Sequence, residues 1–180
     1  MTTTITGAAV TATNFTGAGT ALTDIGIRMA DQWILTTSHT TNADITAWTK
    51  VANPSSGFIG TGMSMSSGIF TFPQTGIYAV YAKACFQING SDSVEMATYV
   101  TVNNSTYVYA DAMLEGNNGS GIRNGGSSGM IIVDVTDTAN VKVKFNASTL
   151  NSGSAIIATN LSIGNTYNTT SVTFIRLGDT

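Results

Sequence analysis

Apolar and polar residues alternate with a period of two through most of the chain, in short runs broken every ten residues or so by Gly, Asn, Ser and Asp. Successive side chains of a strand point to opposite faces, so this pattern predicts strands, and windows with the 3.6-residue spacing of an amphipathic helix are missing. The predicted strands are 32–37, 47–51, 69–72, 77–88, 94–102, 106–113, 129–135, 141–147, 155–163 and 171–177. Strands of this number and spacing predict an all-β fold, a sandwich of two packed sheets.

The run from Ile77 to Ile88 departs from simple alternation. Tyr78, Val80, Ala82, Ala84, Phe86 and Ile88 make one apolar face, yet the opposite face, Ile77, Ala79, Tyr81, Lys83, Cys85 and Gln87, carries a single full charge. A strand of a monomeric two-layer sandwich shows water a polar face, so the second face predicts a covering loop or a second copy of the chain. The PQTG stretch before it reads as a turn, because Pro73 fixes φ and lacks an N–H while Gly76 accepts a backbone conformation that a Cβ resists.

Composition sharpens this expectation. Charged residues make up 9% of the 180, against about 25% in an average soluble domain. A monomer keeps itself soluble with charges spread over its surface, so part of this surface is expected to be covered by subunits. The net charge of −3, with seven scattered Lys and Arg, lacks the electrostatic footprint of phosphate-backbone binding, and nucleic acid is not an expected partner. The one cysteine, Cys85, excludes an intrachain disulfide framework and reads as a small buried hydrophobe. MTTTITGAAVTATNF has no basic start followed by an apolar run, and no stretch reaches about 18 apolar residues, so synthesis in the cytoplasm without membrane insertion is expected.

The residues Gly68-Ile-Phe70-Thr-Phe-Pro-Gln-Thr-Gly76-Ile-Tyr78, followed by the long apolar strand and closed by SVTFIRLGD with Phe174, carry a family resemblance. From Asp31 to Asp179 the chain resembles the trimeric jelly-roll superfamily of complement globular heads and tumour necrosis factor. DQWILTTSHTTNADI and the final TFIRLGDT look most like the jelly-roll heads of bacteriophage virion proteins. The resemblance implies a homotrimeric two-sheet jelly-roll over residues 31–180, with Phe70, Tyr78, Tyr81, Phe86 and Phe174 in its core or trimer interface. The last strand lacks the Phe-x-Gly-Phe arrangement of the animal members and no collagen-like repeat is present, so an immune or cytokine role does not follow.

Residues 1–30 read as a short extended N-terminal arm, Thr-, Ala- and Gly-rich, with apolar residues too sparse for a core. ATNFTGAGTALT is similar to segments of phage fibre proteins. Ile5, Val10, Phe15 and Leu22, with Ile25, are spaced as anchors on another protein's surface.

Candidate chemistry is sparse. His39 is the single histidine, and the carboxylate pairs Asp92/Glu95, Asp111/Glu115 and Asp134/Asp137 read as solubility and turn residues rather than the acid and base of a glycosidase. Asn89, Ser91, Asp92 and Ser93 offer oxygens without the twelve-residue calcium-loop grammar. No catalytic, cofactor-binding or metal-binding residue is assigned. Glu115 to Gly129 reads as a long flexible tip with Arg123 as its one cation, and Trp33 and Trp48 as fillers of the sandwich. Tyr107 and Tyr109, two apart on one strand face, form with Arg123 the candidate receptor or glycan patch.

The function these readings predict is that of a bacteriophage virion structural protein. It would be a non-enzymatic, trimeric head-decoration, cement or head-fibre protein on the particle surface, holding the major capsid protein or another virion protein through its arms. An arm of about 30 residues spans at most about 100 Å, short for a tail fibre. The receptor-recognising tip of such a fibre, with a host surface glycan as partner, is the alternative, and a glycan depolymerase stands behind both.

Overall fold

The computed structural model describes residues 26–51, 58–151, 153–158 and 169–180, and these contain strands without a helix. The strands are β1 (Ala30–Leu35), β2 (Trp48–Lys50), β3 (Ser64–Ser66), β4 (Ile69–Thr71), β5 (Gly76–Asn89), β6 (Asp92–Thr101), β7 (Val108–Asn117), β8 (Ile122–Val135), β9 (Lys142–Ser148), β10 (Ala155–Ile156) and β11 (Ser171–Gly178). All pairings are antiparallel. In the first sheet β8 covers one edge of β5 along its whole length, β11 and β10 share the other edge, and β1 and β2 follow beyond β11. The second sheet runs β3-β4-β9-β6-β7. The chain changes sheet between β2 and β3, β4 and β5, β5 and β6, β7 and β8, β8 and β9, and β9 and β10, as the strands of a jelly roll do.

An aromatic cluster joins the sheets. Phe70 of β4 is fully buried and meets Trp33, Phe174, Trp48 and Phe145 at centroid distances of 5.3, 5.0, 6.2 and 5.8 Å. Trp33 and Phe174 come from the first sheet and Phe145 from the second. Tyr78, Phe86 and Phe174 are buried as expected, and the whole first face of β5 lies in the core. Trp48 donates its indole N–H to the carbonyl of Ile45 at 2.9 Å, whereas Trp33 donates to the buried carboxylate of Asp31 at 3.1 Å. The turn before β5 behaves as its sequence requires. Gly76 has φ of 142°, and a Cβ there would meet Arg176 Nε and Gly178 O at 2.5 Å.

Three strand expectations are corrected. The three-residue β3, Ser-Met-Ser, was too short and polar to show in the pattern. The Glu115–Gly129 stretch is mostly strand: β7 runs to Asn117, β8 begins at Ile122, and only residues 118–121 make the turn between them. Its glycines look like loop residues, but they fit the acidic side chains of β7: Asp111 lies against Gly129, and a Cβ on Gly125 would come within 3.0 Å of Glu115. In the 155–163 stretch the strand covers only Ala155–Ile156, and residues 159–163 lie outside the described set. Met29 is also buried, so the core reaches two residues ahead of Asp31.

Candidate binding faces

Two outer faces and two ends remain for function. On the outer face of the first sheet, Tyr81 stands opposite Met130 of β8 and Thr173 of β11, and Ala79 opposite Ile132 and Ile175. Tyr81, Met130 and Ile132 are 40%, 62% and 57% exposed. The expected second face of β5 is therefore an apolar patch, left open by the described residues at these three positions. Towards Lys83 and Ser128 the patch becomes polar, and the side-chain-free Gly126 opens a shallow hollow of about 460 Å³ above Cys85. Cys85 is half-buried rather than the fully buried residue expected, and burial pushes its thiol up against the opposing Lys83 charge and the Phe86 backbone hydrogen bond.

The outer face of the second sheet is built differently. Glu95, Ala97 and Tyr99 alternate along β6, flanked by Ser148, Asn146 and Lys144 of β9 and by Leu114, Ala112 and Tyr109 of β7. Tyr99 and Tyr109 meet edge to face at 5.5 Å, and Lys144 lies 4.6 Å from the Tyr107 ring centroid and 5.9 Å from that of Tyr99. Asp44 receives Lys144 at 2.8 Å and Asn146 at 2.8 Å. The two tyrosines thus share a face with Tyr99, an aromatic the sequence also offers for stacking on a carbohydrate, and with Lys144, which sequence spacing alone did not single out. Arg123 does not join them. It lies at the opposite end of β7, donating to Gly116 O at 2.8 Å with Glu115 at 3.8 Å.

The remaining candidates occupy structural roles. His39 bridges Ile156 through its backbone, and its ring lies 3.5 Å from the Thr41 hydroxyl. Burial raises the Asp92 carboxyl, but hydrogen bonds from Ser154, Asn151 and the Ser93 amide outweigh it and hold the group below the usual carboxylate range. The Asn151 contacts are 3.1 Å to its amide and 2.6 Å to its side chain, so the Asp92 carboxylate ties β6 to the segment before β10. Among the described residues no three His, Cys, Asp or Glu converge as a metal site. Asp44 is held low in the same way, burial being outweighed by Lys144 and Asn146. A folded-state value below the unfolded value of about 3.9 adds stability above that pH, which disappears as pH falls through the folded value. Thermal melting followed downward from pH 5 should therefore begin to fall below about pH 4. The Asp92→Asn variant should show a shallower fall, and an identical slope would deny Asp92 this role.

The arm anchors Ile5, Val10, Phe15 and Leu22 lie outside the described residues. The chain enters the sandwich at Gly26–Met29, where Ala30 and Ile59 exchange backbone hydrogen bonds of 3.2 and 2.7 Å and Arg176 N donates to Met29 O. From this end β5 and β7 run to the opposite end, where the Asn117–Ile122 turn lies.

No protein-family model matches the sequence, and no curated protein does. Solved structures do match in shape. A crystal structure of murine APRIL at pH 5.0 aligns with a TM-score of 0.60 at 10% identity, over 83% of this chain and 98% of that one. The structure of Eiger TNF from S. frugiperda aligns with a TM-score of 0.58 at 11% identity, over 84% and 94%. Murine APRIL at pH 8.5 gives 0.54 at 14% identity, over 83% and 98%. At such identities the likeness is one of fold, and the chain has a TNF-like jelly roll.

Proposed function

We propose that the protein is a non-enzymatic binding module of a bacteriophage virion. In this reading it is a homotrimer closed through the outer face of the first sheet, and it decorates the capsid by way of its N-terminal arms. The apolar patch of Tyr81, Met130 and Ile132 carries the proposal, because a contiguous exposed patch on a chain so poor in charge is a surface that wants a partner. The number three follows from the resemblance to the trimeric jelly-roll superfamily, and the virion setting from the resemblance of residues 12–23 and 31–45 to phage proteins. A trimer places its three arms at one end, where weak contacts add through effective concentration.

A glycosidase keeps one carboxyl protonated by raising its pKa, whereas Asp92, of the first candidate pair, is held low by hydrogen-bond donors, which suits a structural carboxylate. Removal of residues 1–25 is expected to spare the trimer and abolish attachment, measured by co-sedimentation with capsids lacking the protein. Each of Ile5, Val10, Phe15 and Leu22 would bury area worth about 1.5–3 kcal/mol before ordering entropy is subtracted, so single substitutions there should weaken binding by degrees. Equal sedimentation of both forms would transfer the contact to the sandwich.

A further inference from the structure

The outer face of the second sheet carries a pre-organised aromatic platform. Tyr109 stands opposite Tyr99, while its hydroxyl donates to Glu95 Oε2 at 3.1 Å. Glu95 lies four residues along β6 from Tyr99, about 13 Å of strand. The hydroxyl spans that gap only if the ring lies down along the sheet instead of standing up from it. Ala97, between Glu95 and Tyr99 on the same face, is only 1% exposed, which fits a ring lying across it. The pin is itself held: Glu95 Oε1 accepts the Ser148 hydroxyl at 2.7 Å, and Tyr99 buttresses the ring edge at an interplanar angle of 86°. Tyr109 nevertheless remains 50% exposed, so one ring face looks out to water. A β-bulge makes this possible. The register passes from Thr98↔Asp111 to Tyr99↔Tyr109, so Ala110 is the extra residue that turns Tyr109 to the outside.

We propose that this platform is a carbohydrate site, taking one hexose unit of a neutral or amino-substituted oligosaccharide with its C–H face on the Tyr109 ring. Each Glu95 oxygen has a second lone pair for a sugar hydroxyl or ammonium. Asn146, beside Ala97, adds an amide at the edge of the platform. The charge balance selects this chemistry over a stacked nucleobase. Glu95 repels a phosphate backbone, and Lys144 is already neutralised by Asp44. A flat exposed ring flanked by a fixed acceptor suits a ligand with an apolar face and a hydroxyl rim. The site rests on the trimer reading only in that closure through the first sheet leaves this face open, three times per trimer.

The test is saturation-transfer NMR and immobilised-glycan binding of the full-length protein, using tetrasaccharides of glucose, galactose and N-acetylglucosamine as probes. At least one should bind with a Kd of about 1 mM, with saturation strongest on ring C–H protons. Tyr109→Ala should weaken that binding about tenfold or more, as loss of a stacking contact does. Tyr109→Phe, which keeps the ring and frees the pin, should fall between, and neither variant should change the oligomer's mass or capsid attachment. Absence of binding by every probe at about 10 mM, or equal binding by wild type and Tyr109→Ala, would overturn the site. Dissociation of the oligomer by Tyr109→Ala would overturn it too, by showing this face to be the subunit contact.

Discussion

Replacing Asp31 by alanine is expected to destabilise the sandwich by about 3–5 kcal/mol, because it removes the buried, triply hydrogen-bonded carboxylate of an ion pair whose lysine stays partly exposed. The Asp31 side chain is fully buried, and its Oδ2 receives three donors: the Met63 amide at 2.8 Å, the Trp33 indole at 3.1 Å and Lys50 Nζ at 3.1 Å. Alanine would leave the amide and the indole without an acceptor in a dry site. It would also release Lys50, which lies 5.3 and 5.5 Å from the Trp33 and Phe58 ring centroids. Gly62 packs so closely on this carboxylate that a Cβ would collide with it, so the segment leading to β3 loses its seat as well. Asp31→Asn keeps an acceptor and gives up only the charge, so its loss should be about half as large. Urea denaturation of the three proteins measures this. Equal midpoints for wild type and Asp31→Ala would mean that Met63 and Trp33 find other acceptors.

The second large effect concerns assembly. Tyr81→Asp places a carboxylate in the middle of the proposed subunit contact, and an unpaired charge removed from water costs several kcal/mol at each of its copies. The variant is expected to lose the oligomer. Met130→Asp, on the neighbouring strand and 62% exposed in the single chain, should do the same without disturbing the core. Leu114→Asp is the control, since Leu114 is 55% exposed on the other sheet and should leave the oligomer intact. Dissociation by Leu114→Asp alone would move the interface to the second sheet.

The core was legible because burial imposes a period on the sequence. Strand β5 shows this best: its six alternating residues from Tyr78 to Ile88 are all buried, and its opposite face emerges at Tyr81. Legibility failed where tertiary context outweighed composition. In β8 the glycines and serines suggested a loop, yet they are strand residues, and Gly125 and Gly129 leave room for Glu115 and Asp111. No local signal announces that. The tyrosine face was visible in part, since Tyr107 and Tyr109 are two apart, but simple alternation from Met113 and Asp111 would have turned Tyr109 inward. The bulge at Ala110 decides its direction, and with it the meeting with Tyr99 and Glu95. Asp31 was missed as a structural residue because a lone acidic residue beside a tryptophan looks like any strand start. Its importance comes from Met63 and Lys50, 32 and 19 residues away.

The central claim is that the apolar face of the first sheet closes a trimer. Sedimentation equilibrium of the full-length protein tests it most directly, over a concentration range wide enough to reveal dissociation and with Tyr81→Asp measured beside it. The account predicts three times the mass of one chain for the wild type and one chain mass for the variant. A wild-type protein that sediments as a single chain at every concentration would contradict it.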